Sequence, residues 1–194
     1  SGLILRKPIT LIGDPYWTDV FAKDVDGCKS DLDEYARRVL ICSLTYGQSH
    51  VLVDYPAPTG ALSLAEERAL NRRPYWIEVD PMNIYGWRLD REVNYGNLIQ
   101  VRIGEKAVVP SGEFGEEVFD QVRVIEPGKY RVYRDKEKNK DLYWKDSSYA
   151  GNFNAPAGEQ EFDLVESGEF SLGEVPLVTI YSGKTDTMTS KPPL

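Results

Sequence analysis

The sequence has few of the residues that most often carry catalysis or bind metals. Among 194 residues there are two cysteines, Cys28 and Cys42, and one histidine, His50. The cysteines form no CxxC pair, and a single histidine is too few for the common zinc sites, so these zinc patterns are excluded. Cys/His and Ser/His/Asp catalysis are also excluded, unless a second chain supplies the missing base.

The two cysteines have two possible redox states, a disulfide or two free thiols. Cys28 and Cys42 are able in principle to form a disulfide, but a predicted helix separates them. Two free, partly buried thiols in a reducing cytoplasm are the state that this pattern favours.

Long apolar runs are also missing. No run approaches the roughly twenty residues of a membrane span, and no signal peptide is recognisable. The sequence therefore predicts a soluble, intracellular protein with no membrane partner.

The net charge of -8 limits the class of partner. A broad electrostatic grip on nucleic acid depends on clustered Lys and Arg that neutralise phosphates, and an acidic chain disfavours it. The apolar content of 41% and the charged content of 28% are ordinary for globular proteins, which argues against wholesale disorder.

Two helices are predicted in the first half of the chain. Apolar residues recur at three and four spacing over 31–46, which predicts an amphipathic helix with Ser30 as its N-cap and Gly47 as its left-handed stop. A shorter helix is predicted from Ser63 to about Asn71, because Ser63 and Glu66 match the reciprocal capping pattern.

The rest of the chain has mainly strand patterns. Residues 3–15 are predicted to be extended or edge-like, 135–141 to be a solvated charged tip, 143–144 to begin one more strand, and 147–158 to form a loop. Glu126-Pro127-Gly128-Lys129 predicts a hairpin turn. The predicted strands are 50–55, 75–80, 84–90, 98–109, 117–125, 129–134, 161–165 and 175–181.

Because helices come early and strands follow in a run, the sequence predicts an α+β fold. One main N-terminal helix and a short second helix pack on a mostly antiparallel β-sheet, in a single domain over 1–194. Ser1-Gly2 has the form of an expression scar.

Gly183-Lys184-Thr185 follows a predicted strand and matches the last three residues of a phosphate-binding P-loop. The earlier glycine that such a loop needs is replaced by Val178, inside the strand. The residues that follow lead to Pro192-Pro193 and form no helix. An exposed loop after a strand is the favoured interpretation.

The other candidate sites are also weak. Asp24 and Asp26 resemble the start of a calcium loop, but the twelfth position is Tyr35 where glutamate is required, which favours a turn into the capped helix. Glu113, Glu116 and Glu117 fit a loop between strands.

The single histidine and the tryptophans could each have either a structural or a functional role. His50 is expected to be a hydrogen-bonded surface or boundary residue, with a ligand or base role as the alternative. Trp76, Trp87 and Trp144 lie in or beside strand patterns, which favours packing over sugar binding. No catalytic, cofactor-binding or metal-binding residue is assigned, and no cofactor is expected.

Three stretches taken together resemble a known family. These are DLDEYARRVLICSLTYGQSHVLVDYP (31–56), RPYWIEVDPMNIYGWR (73–88) and VPLVTIYSGKTDTMTSKPPL (175–194), and LILRKPITL (3–11) precedes them. Their order is similar to a family of tailed-phage and prophage proteins, long labelled as a domain of unknown function, which is itself similar to phage portal proteins. The stretches 135–141 and 147–158 have no match in that pattern.

The resemblance implies a non-enzymatic ring of identical subunits, usually twelve, at one capsid vertex. Terminase pumps DNA through such a ring, and the DNA later leaves through the tail. The chain would be a fragment of the wing and body of the subunit, with terminase and head or tail proteins as partners in the particle. It would be located in the bacterial host cytoplasm during assembly and then in the virion.

A hydrolase is the alternative from a different class. With 31 acidic residues, some carboxylate pairs fall close together. A glycosidase or a metal-dependent nuclease would bring two of them together in a cleft.

Overall fold

The structure, a computed structural model, describes residues 7–56, 63–70, 72–93, 96–138 and 162–193. The chain divides into two compact units. Unit 1 comprises Ser1–Pro81 and Pro176–Leu194, and unit 2 comprises Met82–Val175. The sequence analysis predicted a single domain over 1–194 and did not predict a boundary near residue 81 or residue 176. The strand pairs of the described residues are antiparallel and a helix packs on a sheet, which confirms the predicted α+β class.

The described helices are α1 (Leu32–Tyr46) and α2 (Leu64–Ala69), with short helical turns at Tyr16–Val20, Phe21–Lys23 and Pro81–Asn83. The described strands, in chain order, are β1 (Gln48–Asp54), β2 (Tyr75–Val79), β3 (Ile84–Leu89), β4 (Leu98–Ser111), β5 (Gly115–Glu126), β6 (Lys129–Lys138), β7 (Phe162–Glu169), β8 (Leu177–Tyr181), β9 (Lys184–Asp186) and β10 (Thr189–Ser190).

Helix α1 begins one residue later than the capping prediction required. Asp31 Oδ1 accepts the Glu34 N–H at 2.8 Å, so Asp31 is the N-cap and the prediction of Ser30 was wrong. The Ser30 hydroxyl instead accepts a hydrogen bond from Arg38 Nη1 at 2.9 Å. Gly47 ends the helix with a φ of 84°, as predicted.

The predicted start of α2 is confirmed. Ser63 N–H donates to Glu66 Oε2 at 2.7 Å, and Glu66 N–H donates to Ser63 Oγ at 3.3 Å, which is the reciprocal capping arrangement.

Unit 1 is built on a three-stranded sheet in the order β2-β1-β8. Val51 of β1 is paired with Glu78 of β2 on one side and with Val178 of β8 on the other. Helix α1 packs on the face that carries Val51. The buried core there contains Phe21, Val25, Tyr35, Val39 and Val51, with Leu32 and Trp76 packed against it.

Residues 7–14, predicted to be extended or edge-like, lie in no helix or strand and form no sheet edge in the described chain. A helical turn begins at Tyr16. Ile9 N–H donates to Asp33 Oδ1 at 2.6 Å, which ties this segment to the first turn of α1.

Unit 2 contains a five-stranded antiparallel sheet in the order β3-β4-β5-β6-β7. Its most deeply buried side chains include Val101, Ile103, Ile125 and Val132. Glu126 pairs with Lys129 around the Pro127-Gly128 turn, which confirms the predicted hairpin.

Strand β6 is longer than predicted. Residues 135–138, expected in a solvated tip, continue the strand because β5 and β7 lie beside it and supply backbone partners, as in the pairs Asp135 with Phe162 and Phe119 with Lys138. The rest of that tip and the predictions for 143–144 and 147–158 lie outside the described residues.

Gly183-Lys184-Thr185, expected in an exposed loop, instead leads into a short hairpin of β9 and β10. Gly183 allows a close approach of the backbone. A Cβ at this position would collide with the carbonyl oxygen of Lys191, whose N–H donates to Gly183 O at 2.9 Å. The glycine of this motif therefore has a packing role.

Candidate functional site

Unit 1 has an apolar groove of about 370 Å³ between α1 and its sheet. From α1, the side chains that line it are Leu32, Tyr35, Ala36, Val39 and Leu40.

The sheet forms the other side of this groove. Its lining side chains are Val51, Val53, Trp76, Val178 and Ile180, from all three strands. They share one face because directly opposed residues of paired strands point to the same side of a sheet.

The groove is exposed along β8. Val178 and Ile180 are 54% and 40% exposed, although both lie opposite the buried strand β1. At the other side of α1 the same face is filled by Trp76, whose ring lies 5.5 Å from that of Tyr35 and 5.1 Å from that of Phe21. The open part of the groove therefore lies between α1 and β8.

Strand β8 also has a free backbone edge within the described residues. Val53 N–H donates to Pro176 O, and Ser182 N–H donates to Gly47 O. These two bonds show which residues of β8 direct their backbone N–H and C=O groups toward β1. Because these bonds alternate along an antiparallel pair, the N–H and C=O groups of Leu177, Thr179 and Tyr181 point away from β1. The sheet order puts β8 at an edge.

Tyr35 extends from the groove into a charged cluster at the β2 side of α1. Burial raises the pKa of its hydroxyl, and the carboxylate of Glu78 raises it further. The Tyr35 hydroxyl is buried and has no hydrogen-bond partner among the described residues. Arg38 lies over the Tyr35 ring, 5.2 Å from its centroid, and its Nε is 3.4 Å from Glu78 Oε2.

Asp24 and Asp26, the residues weighed for calcium, each bind an arginine. Asp26 Oδ2 lies 3.0 Å from Arg38 Nη2, and Asp24 Oδ2 lies 2.8 Å from the buried Arg73. Asp26 Oδ1 also accepts the N–H groups of Cys28 and Ser30. These carboxylates stabilise the turn that leads into α1.

His50 lies on the opposite face of the sheet from the groove. It is fully buried, so the prediction of a surface or boundary position was wrong. Its Nδ1 is 2.9 Å from Thr179 Oγ1, and Thr179 Oγ1 lies 3.3 Å from Met188 Sδ. Met188 covers this face because its N–H donates to the Tyr181 hydroxyl at 2.7 Å. Burial lowers the pKa of His50 to about 4, against the opposing charge of Asp80.

Glu105 and Glu126, two acidic residues of unit 2, form ion pairs with arginines. Glu105 binds Arg123 at 2.8 Å, and Glu126 binds Arg131 at 2.8 Å. The hydrogen bond from Gln100 is the main cause that lowers the pKa of Glu126, whereas a catalytic acid requires a raised pKa. Near the turn that joins β4 to β5, Glu117 Oε1 accepts a hydrogen bond from Ser111 Oγ at 2.8 Å.

The described part of the chain contains neither a metal site nor a disulfide between its two cysteines. It contains no group of three or more His, Cys, Asp or Glu side chains placed to hold a metal ion. Cys28 and Cys42 are both free thiols, and Cys28 is exposed where partial burial was expected. Within the described ranges, no helix combines the length and the apolar composition that crossing a bilayer demands.

Sequence reasoning did not identify the groove. It predicted the apolar face of the helix and the strand that contains Val178 and Ile180, but not that they leave an open surface together. The available signal is that β8 has apolar side chains on both faces, a pattern typical of strands covered on both sides. Comparison of the chain with protein-family models and with curated proteins finds no match.

Proposed function

We propose that this chain is a non-enzymatic structural subunit of a phage or prophage particle, similar to a portal protein and assembled into a ring for DNA passage. The observation that carries the proposal is the ordered set of stretches 31–56, 73–88 and 175–194. These stretches supply α1 and the three strands of the unit 1 sheet, although residues 80–176 separate β2 from β8.

The charge of the chain supports the same proposal. A conduit must let DNA pass without holding it, and a net charge of -8 repels phosphates. The proposed partners are identical copies in a ring of about twelve, a number taken from the resemblance and consistent with closed cyclic symmetry, together with terminase and head or tail proteins. The proposed locations are the bacterial host cytoplasm during assembly and the virion afterwards.

Electron microscopy of the full-length gene product tests this proposal. We expect closed rings of identical subunits, with a mass by light scattering that is a fixed multiple of the monomer. Full-length material that stays strictly monomeric at high concentration contradicts the proposal. The position of the gene gives a second test, since a terminase gene upstream and a head-morphogenesis gene downstream are expected.

A further inference from the structure

We propose that the open groove between α1 and β8 binds an extended segment of a second copy of this chain, residues 9–12, which adds as a fourth strand at the free edge of β8. The choice of an identical partner rests on the proposed ring. The apolar lining of the groove and the free strand edge beside it are properties of unit 1 alone.

The groove and the strand edge together define the kind of ligand. Leu177, Thr179 and Tyr181 present outward backbone N–H and C=O groups, which an added strand satisfies. Val178 and Ile180 stand beside that edge and face α1. An added strand with apolar side chains at alternate positions would place them beside these two residues, on the face of the sheet that α1 covers, because side chains of neighbouring strands align on one face.

Residues 9–12 fit this description. Ile9 and Leu11 alternate, both are exposed, and Ile12 is 96% exposed. The segment joins no sheet within the described chain. The same chain therefore exposes both an unpaired apolar edge and an apolar segment that lies outside any described sheet, and exposed apolar edges and patches commonly mark contact sites. The Ile9 N–H, which donates to Asp33 Oδ1 of its own copy, has to leave that partner when the segment joins a neighbouring copy.

Charge selects the orientation of the added segment. The end of the groove at Leu32 is also the acidic start of α1, where Asp31 and Asp33 lie. Lys7 precedes the segment, so its ammonium group is closest to those carboxylates when the segment enters at that end. Because β8 runs from that end toward the end of α1 at Tyr46, the added strand is parallel to β8.

Such a contact is head-to-tail, since the segment and the groove are different surfaces of one chain. Contacts of this kind form rings when the rotation between copies closes, and open filaments when it does not. A two-fold contact would instead pair the same surface from both copies.

Complementation between two single variants tests the proposal. Ile180→Lys disables the groove and leaves the segment intact, whereas Leu11→Lys disables the segment and leaves the groove intact. By sedimentation velocity over a concentration series, wild-type chain is expected to self-associate, and each variant is expected to do so with a Kd raised roughly tenfold or more. An equimolar mixture of the two variants is expected to recover a complex of one copy of each.

Several results would overturn the proposal. They are a strictly monomeric wild type, self-association of Ile180→Lys as strong as that of wild type, or a mixture in which neither variant binds the other. Val108→Lys, at an exposed position of β4, is the matched control and is expected to behave as wild type. Val178→Lys replaces Ile180→Lys if circular dichroism shows that the latter is unfolded.

Peptide binding separates self-contact from a different partner. A synthetic peptide of residues 7–12 is expected to bind Leu11→Lys and not Ile180→Lys. If an unrelated extended apolar peptide binds Leu11→Lys equally tightly, the self-contact is overturned.

The outcome is also distinct from that of the ring proposal. Recovered association without rings supports the groove and contradicts the ring. Rings that persist in full-length Ile180→Lys support the ring and contradict the groove.

Discussion

His50 Nδ1 lies 2.9 Å from Thr179 Oγ1, a contact that joins β1 to β8 across 129 residues of sequence. The imidazole is fully buried on the covered face of the sheet, and its Nε2 has no partner among the described residues. Burial therefore favours the neutral ring and lowers the pKa of His50 from 6.5 to about 4.

This burial predicts an acid-sensitive fold. Because the pKa in the folded state is the lower one, the contribution of His50 is fully present above pH 6.5 and is lost as the pH falls toward 4. We expect wild type to lose about 2 to 3 kcal/mol more of its free energy of unfolding than His50→Gln over that interval. Urea titrations of both proteins at several pH values measure the difference. Parallel pH profiles would contradict the prediction.

Asp26 also loses its stabilising contribution as the pH falls, but in a more acidic range than His50. Burial acts to raise the pKa of Asp26, but hydrogen bonds from Ser30, the Cys28 N–H and Arg38 outweigh it and lower the pKa to about 2. Its contribution is present above pH 4 and is lost as the pH falls through 2.

We expect Asp26→Asn to reduce the free energy of unfolding at pH 7 by about 1 to 2 kcal/mol, since solvent screens this site in part. The loss should shrink below pH 4. Asp19→Asn is the matched control, because Asp19 is an exposed acid of the same unit. A loss that is the same at pH 7 and pH 3 would show that the charge of Asp26 is not its cause.

Tyr35 tests whether its ring or its hydroxyl matters for packing. Its hydroxyl is buried without a partner among the described residues, so Tyr35→Phe removes an unsatisfied polar group and keeps the ring. We expect Tyr35→Phe to be neutral or to stabilise by up to about 1 kcal/mol, and Tyr35→Ala to destabilise by about 3 to 5 kcal/mol because the contact with Trp76 is lost. Thermal and urea unfolding compare the two. A large destabilisation by Tyr35→Phe would reveal a bond to this hydroxyl.

Gly183 is predicted to be intolerant of any side chain. In Gly183→Ala the new methyl group meets the backbone carbonyl of Lys191, which has to move. We expect a loss of about 2 kcal/mol or more, measured by urea unfolding. Gly173→Ala is the control, since its Cβ meets nothing within 4 Å. Equal stability of the two variants would refute the packing role of Gly183.

Features fixed by neighbouring residues were predictable from sequence. The Ser63–Glu66 cap, the Pro127-Gly128 hairpin and the stop at Gly47 each depend on residues a few positions apart, and all three are present. The N-cap of α1 was missed because Arg38, a full two turns away, binds the Ser30 hydroxyl.

Features fixed by distant partners were not predictable. The burial of His50 and the groove beside Val178 both depend on the pairing of β1 with β8. Nothing in either local segment specifies that pairing, and the charged residues 135–138 likewise form a strand because of tertiary neighbours and against their propensity.

The division of the chain also has a consequence for its evolution. Residues 82–175 leave unit 1 after β2 and return before β8, the two strands that flank β1. Since unit 2 has buried side chains of its own, we expect changes in its length to leave both neighbours of β1 in place. Proteins that share unit 1 are therefore expected to differ most within residues 82–175. A comparison of their sequences is expected to find the strands of unit 1 more similar than this stretch.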